Sequence, residues 1–407
     1  MSFFKEVKIN TDNSTGDAFG RVRVSTPKTL FDAKQLSDNA PLFWEDVQIS
    51  GSGTTSTYSS DRASSVIAVT NVTAGRRVRQ TYQRFNYQPG KSTLILMTGI
   101  LNKSGGGSGI IRRMGYYDDN NGVFLQDSSG TYSVVRRTHV SGSPVDTVVS
   151  QASWNIDTLD GNGDSGITID LTKTNILVID LEWLGVGRVR FGFNIDGITY
   201  YFHQFLNANS LDSVYMSTPN LPLRYEIINS GTGIASEFEC ICTSVISEGD
   251  LDPLGINRYA STAGTHVDAN VENIIYAILG IRLKSNYLST TINIKNISLF
   301  VATADSLEWM LIFNPTVAGV FTYVDETNSA VQIARGALAN TVTGGIQFDG
   351  GHINTVGSRS EKTDIDSILK LGSSVAGVQD TIVLAVRPID GSINIDVEGS
   401  ICWRELL

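Results

Sequence analysis

Apolar and polar residues alternate in short runs along most of this chain, and each run ends in a cluster of Gly, Asn, Asp or Ser. A period of two marks a strand with one buried face, and residues that tolerate positive φ are what tight hairpins need. KSTLILMTGIL (91–101) is followed by the loop Gly105-Gly106-Gly107-Ser108-Gly109. Then come GIIRRMGYYD, a turn at Asp119-Asn120-Asn121-Gly122, GVFLQD, a turn at Ser128-Ser129-Gly130, and TYSVVRRTHV. A second series starts at ITIDLTKTNILVIDLEWL, turns at Gly185-Val186-Gly187, continues as RVRFGFNI, turns at Asp196-Gly197 and returns as ITYYFHQF. LPLRYEII and EFECICTSVI close it. The pattern predicts an all-β protein of sandwich or jelly-roll type. No repeat of fixed period is present, which disfavours solenoids and propellers.

Residues 1–40 read as an extended N-terminal arm, with a first sheet strand as the equally plain alternative, because VKINTD and AFGRVRVST alternate too briefly to close a core. Residues 41–248 form the first predicted sandwich. SEGDLDPLGIN (247–257), with its acids, Pro and Gly, reads as the domain boundary, and 249–407 as a second jelly-roll-like sandwich. NIIYAILGIRLK, TTINIKNISLFVAT and SLEWMLIFN carry its first strands. A short helix is expected in SRSEKTDIDSILKLG, where Ile365, Ile368 and Leu369 recur at helical spacing. A hairpin turning at Asp390-Gly391 is expected at the end.

The chain has 407 residues, long enough for two or three domains. Charged residues make up 18%, against about 25% in a typical globular protein, and Gly, Ser, Thr and Asn take their place. A net charge of −10, with the basic residues paired inside strands, argues against nucleic acid as a partner. No apolar run approaches the length of a membrane span. MSFFKEVKINTDN lacks the apolar core of a secretory signal, so synthesis in a cytoplasm is expected. Cys240, Cys242 and Cys402 have too few neighbouring ligands for zinc and read as plain thiols.

Several constellations could carry chemistry. Gly90-Lys91-Ser92 imitates a phosphate loop, but Phe85 stands where its first glycine belongs and a strand follows. Asp180 and Glu182 share one strand face, which is carboxylate spacing suited to a glycan depolymerase; pairing across a turn, with Glu182 opposite Arg190, is the simpler structural reading. Asp160, Asn162 and Asp164 follow the one-three-five spacing of a calcium loop, although Leu171 replaces the closing acid. Calcium is the sole cofactor this pattern raises. Arg76, Arg77, Arg79, Tyr82, Arg84, Phe85 and Tyr87 interleave guanidiniums with aromatics, which suits a subunit interface first, ordinary surface second and a ligand contact third. His139, His203, His266 and His352 lack any nucleophile signature, and His203 reads as a packed histidine. Nothing here assigns a catalytic residue, and an enzyme is not expected.

DAFGRVRVSTPKTLFDAKQ, RQTYQRFNYQPGKS, VIDLEWLGVGRVRFGFNIDG and NSLDSVYMSTPNLPLRYEI resemble virion-associated structural proteins of tailed bacteriophages, over roughly residues 17–250. The resemblance implies an oligomeric particle component, such as a capsid decoration, a head fibre, or a tail or baseplate part. It implies partnership with copies of itself, a trimer being the expected symmetry, and with other virion proteins. A host-recognition adhesin is the alternative, holding a surface glycan near Trp154 or Trp183. The loops at 103–109, 118–122 and 157–166 are the ones expected to face solvent or host.

Overall fold

A computed structural model of the chain describes residues 16–23, 26–105, 107–250, 254–301, 306–354, 359–364, 369–389 and 395–406. The chain is all-β and forms two compact units, one running to Asp252 and the other from Pro253, with Tyr82–Arg84 grouped with the second. The division falls within the acid, Pro and Gly cluster at 247–257. Among the described residues no helix is long and apolar enough to cross a membrane.

Among the described residues the first unit contains fifteen strands: β1 (Pro27–Ala33), β2 (Trp44–Gly51), β3 (Thr54–Ser59), β4 (Ser64–Val69), β5 (Gly75–Thr81), β6 (Ser92–Ser104), β7 (Ile110–Tyr117), β8 (Gly122–Ser128), β9 (Thr131–Thr138), β10 (Val145–Ser150), β11 (Asn175–Leu181), β12 (Val189–Ile195), β13 (Ile198–Phe205), β14 (Leu223–Asn229) and β15 (Ser236–Glu248). An eight-stranded sheet runs β13-β12-β11-β6-β15-β4-β3, with β1 also pairing β15. A seven-stranded sheet runs β10-β9-β8-β7-β14-β5-β2. All these pairings are antiparallel, and the inward residues of both sheets fuse into one core. The expected turns are in place: Ser129 and Gly130 take positive φ, as do Asp196 and Gly197, which the tightest hairpins demand.

In the second unit a five-stranded sheet orders Ile256–Ser261, Ile395–Leu406, Thr291–Val301 and Arg359–Asp364, with Val267–Ala269 also on Ile395–Leu406. A six-stranded sheet orders Val324–Asp325, Val331–Arg335, Tyr276–Leu283, Thr381–Pro388, Ser306–Phe313 and Ile346–Asn354. The latter is apolar on both faces. Its second face, with Met310, Ile312 and Val383, is packed against Val317 and Val342 of a short ribbon. Two expectations are corrected here. Arg359–Asp364 is a strand, not the start of a helix, and pairs with Thr291–Val301; residues 365–368 lie outside the described residues. RSEKTD carries polar side chains throughout, so no helical stripe begins in it. Thr381–Pro388 and Ile395–Leu406 are not a hairpin, since they belong to different sheets; the expected turn at Asp390-Gly391 lies outside the described residues.

Within 1–40 the described residues take the sheet-strand alternative. β1 is a bonded strand, and residues 16–23 are held on the eight-stranded sheet. Gly16 O accepts from Arg190 Nη2 (2.6 Å), and Ala18 O from Arg188 Nε (3.0 Å). Arg23 reaches Asp180 Oδ2 at 2.5 Å and Glu248 Oε1 at 2.7 Å. Residues 1–15 lie outside the described residues.

Asp180 organises this face. It is fully buried; Oδ2 accepts from Arg190, Arg23 and Tyr201, and Oδ1 from Ser92 at 2.6 Å. Arg190 stands opposite Asp180, not opposite Glu182 as the turn length had indicated. The turn takes two more residues because Trp183 leaves the strand, its N–H donating to Tyr87 Oη at 3.1 Å, and Leu184 adopts positive φ. Removing one partner of a buried ion pair strands the other, a loss of about 3–5 kcal/mol. Asp180→Ala is therefore expected to destabilise the protein by about 3–5 kcal/mol in urea unfolding, since Arg190 would lose its carboxylate. A loss below about 1 kcal/mol, the range of an exposed pair, would show that Asp180 carries no such burden.

Candidate functional site

Strand parity gives the seven-stranded sheet two unlike faces. Met114, Leu125, Val134 and Tyr225 point into the main core, whereas Tyr117, Phe124 and Val135 form a separate small cluster on the other side. On that outer face the register sets residues in rows. One row reads Val47, Val78, Glu226, Arg113, Gln126, Ser133, Ser150 across β2, β5, β14, β7, β8, β9 and β10. The next reads Glu45, Gln80, Arg224, Gly115, Phe124, Val135, Val148. Gly115 is required here, because a Cβ would come within 2.6 Å of Phe124 Cα and Cβ.

Guanidiniums roof this aromatic patch. Tyr117 and Phe124 have ring centroids 4.3 Å apart. Arg137 and Arg113 lie over Phe124 at 5.1 and 5.5 Å, and Arg224 over Tyr117 at 5.2 Å. Glu226, fully buried, binds the arginines together: Oε1 accepts from Arg113 at 3.0 Å and Oε2 from Arg76 at 3.1 Å. Burial alone would raise the Glu226 pKa, but Arg113, Arg76 and Arg224 outweigh it and hold the carboxyl below its ordinary value. Asp119 accepts from Arg76 and Arg224, each at 2.6 Å. Burial opposes ionisation there too, yet the two arginines bring its pKa down to about 2. Asp146 takes both arms of Arg137, at 2.8 and 2.9 Å.

The turn that carries Asp119 is tied down. Asp118 Oδ1 accepts the N–H groups of Asn120 and Asn121, and Asn121 binds Ser217 from both ends of its amide. Between these groups lies a hollow of about 370 Å³, lined by Arg76, Arg113, Arg137, Asp119, Asp146 and Glu226 and walled by Pro144 and Ile228. A larger hollow of about 460 Å³ in the second unit is lined almost wholly by consecutive residues of the edge strand Ile346–Asn354. It is a groove along one strand and gathers no set of groups from separate elements.

The residues singled out from sequence scatter. Of the segment expected as an interface, Arg76 joins the hollow, but Arg79, Phe85 and Tyr87 are buried and unavailable to a partner. The reason is again parity. Arg77 and Arg79 alternate with Arg76, so they face away from it; Arg79 lies over the Trp44 ring at 5.1 Å and Arg77 pairs with Asp46 at 2.6 Å. Arg84 donates to Ser373 at 2.8 Å, and Tyr82 groups with it in the second unit. In the loop of Asp160, Asn162 and Asp164, Asp160 Oδ1 accepts from Thr158 Oγ1 and Asn162 N, and the buried Asp157 closes the loop by accepting from Leu159 N and Ser165 N. Asp180 and Glu182 form no open carboxylate pair, since Asp180 lies inside the protein. Trp154 is buried on Phe202, and Trp183 donates Nε1 to Met216 O, so neither is a bare platform for a sugar ring. Gly90-Lys91-Ser92 runs straight into β6.

Two features escaped the sequence. The first is the set Arg113, Arg137, Arg224 and Glu226, whose only signal was their position off the core parity of their strands. The second is His266, Asp268 and Asp396, the one group of three potential metal ligands among the described residues, with His266 Nε2 at 3.4 and 3.7 Å from the two carboxylates. The paired strands Val267–Ala269 and Ile395–Leu406 set Asp268 opposite Asp396, a relation no spacing announces.

No family model matches the chain, and no curated protein matches its sequence. Similar solved structures include an endo-1,3-beta-glucanase from Streptomyces sioyaensis, 12% identical with a TM-score of 0.35, covering 55% of this chain and 97% of that one. A legume lectin-like domain from Entamoeba histolytica is 9% identical with a TM-score of 0.31, covering 53% and 96%. A carbohydrate esterase from a Shiga toxin-encoding bacteriophage is 9% identical with a TM-score of 0.29, covering 54% and 99%. At these scores the likenesses assign no activity.

His203 gives this unit a pH response. The ring is buried, Nδ1 accepts from Asn155 N at 3.3 Å, and Nε2 has no partner. Burial lowers its pKa to about 4. Below about 6.5 the unfolded chain takes up a proton that the folded chain refuses until about 4, so this contribution to stability is lost as pH falls through that window. The urea midpoint is expected to fall from pH 6.5 to 4, and less steeply in His203→Gln; equal slopes would remove His203 as a cause.

Proposed function

We propose that the chain is a non-catalytic, glycan-binding β-sandwich protein of a phage-type particle, and that it binds through the outer face of the seven-stranded sheet. The observation that carries this is the hollow in which five strands and a tethered turn present interlocked guanidiniums and carboxylates beside the apolar walls of Pro144 and Ile228. A sugar residue offers many directional hydroxyls and a partly apolar ring, and pays little when the groups it meets are already fixed. Here each charged side chain is fixed by another, so binding freezes few rotamers.

The same arrangement argues against hydrolysis. Cleaving a glycosidic bond by acid–base catalysis needs a carboxylic acid whose pKa is raised. Glu226 and Asp119 are pushed the other way by their arginines. The particle assignment is supported by the resemblance of residues 17–250 to virion structural proteins. With it come self-association, a trimer by that resemblance, and contact with other virion proteins.

The test is an array of host surface glycans probed with the full chain and with Arg137→Gln. Binding to a subset of glycans, weakened at least about tenfold in the variant, is expected from loss of a charge-assisted contact. Unchanged binding in the variant would place the site elsewhere, and release of shortened glycan would overturn the non-catalytic reading. Mass spectrometry of purified particles should find the chain; its absence would overturn the particle assignment.

A further inference from the structure

In the second unit, Val267 and Ala269 on one strand and Ile395 and Val397 on its partner point into the core. The residues that alternate with them therefore point out. The ladder sets two of these, Asp268 and Asp396, directly opposite each other. Like charges in that position repel across a sheet, where an opposite pair would attract. Glu398, two residues beyond Asp396 on the same strand, brings a third carboxylate to that face. Among the described residues no Lys or Arg forms an ion pair with any of the three. The basic group that the two aspartates share is the His266 imidazole. While that ring is neutral, the group carries two negative charges and no positive one.

The imidazole does not hold the aspartates by hydrogen bonds. Nε2 stands 3.4 Å from Asp268 Oδ1 and 3.7 Å from Asp396 Oδ1, beyond the range of about 2.7–3.2 Å in which an N–H donates well. These separations are instead close to the edge of a coordination tetrahedron. Bonds of about 2.0–2.2 Å from a tetrahedral ion to nitrogen and oxygen put two ligand atoms about 3.4 Å apart. All three donor atoms lie within 4.8 Å of one another. Their side chains are between 25% and 53% exposed, so an ion can enter from solvent.

We infer that the second unit binds a divalent transition-metal ion of the zinc type through His266 Nε2 and one oxygen each of Asp268 and Asp396, with water at the fourth position. The nitrogen ligand sets the class, because imidazole suits zinc and its neighbours whereas calcium and magnesium take oxygen ligands. The ion offsets the repulsion of the opposed aspartates. It also clamps the three-residue strand Val267–Ala269 to Ile395–Leu406. The site shares no residue with the hollow on the seven-stranded sheet and stands apart from the glycan reading.

The test is calorimetric titration of zinc chloride into the full, untagged chain after it has been stripped with EDTA and dialysed. One zinc ion per chain is expected to bind, and an excess of magnesium or calcium should not displace it. Loss of an outer-shell partner alone costs a metal site about 10–100-fold, so loss of a ligand should cost at least about tenfold. His266→Gln, Asp268→Asn and Asp396→Asn should each weaken the zinc site by that much. Asp268→Asn also separates binding from folding. It removes the like-charge contact, so the metal-free variant should melt no lower than the metal-free parent, while zinc raises the melting temperature of the parent alone. Undiminished affinity in any of the three variants, or no one-to-one binding at all, would overturn the site. Displacement by magnesium or calcium would overturn the metal class, and a lower melting temperature in metal-free Asp268→Asn would overturn the repulsion on which the inference rests.

Discussion

A guanidinium removed from water must keep a carboxylate beside it, and this protein buries Arg79, Arg112, Arg190 and Arg224 almost completely. Arg112 has Asp127 at 2.9 Å, Arg224 has Asp119 at 2.6 Å, Arg190 has Asp180, and Arg79 has Asp46 at 3.5 Å. Each pair joins different strands, or a strand and a turn. A slip of one residue would turn the arginine to the opposite face and leave its acid unpaired. Apolar burial favours both sheets in general terms; the ion pairs select one register.

That constraint explains why the seven-stranded sheet is charged on its outer face yet ordered there. In the second unit the outer face of the six-stranded sheet is apolar and the chain covers it with its own short ribbon. In the first unit the corresponding patch of Tyr117, Phe124 and Val135 is small, and the arginines above it serve as its cover. Their stems and planes exclude water from the rings while Glu226, Asp119 and Asp146 fix their heads. A layer that completes the packing on its inner side thus presents rigid polar groups on its outer side.

Much of the fold was legible in the sequence. Period-two alternation located the strands, and Gly and Asn clusters located the turns. Legibility stopped where distant strands meet. RYE in β14 places Arg224 and Glu226 on one face, yet the partner Arg76 lies 150 residues away from Glu226 in the chain. Local pattern told which residues share a face and was silent on which face turns inward. For the same reason Arg76, Arg77 and Arg79 read as one patch, although alternate members point to opposite sides of β5. The strand at Arg359–Asp364 was missed because its residues are polar throughout, and only its pairing with Thr291–Val301 defines it.

Binding and acid–base catalysis make opposite demands on a carboxylate. A general acid needs surroundings that penalise its charge, so that it carries a proton at working pH. Glu226 and Asp119 have surroundings that reward charge, because each is the counter-ion of arginines that the fold cannot leave unpaired. Relaxing that hold on Glu226 would leave Arg113 and Arg76 without their shared anion over a buried aromatic patch. Glu226 and Asp119 are therefore held ionised by the same arginines whose burial requires them.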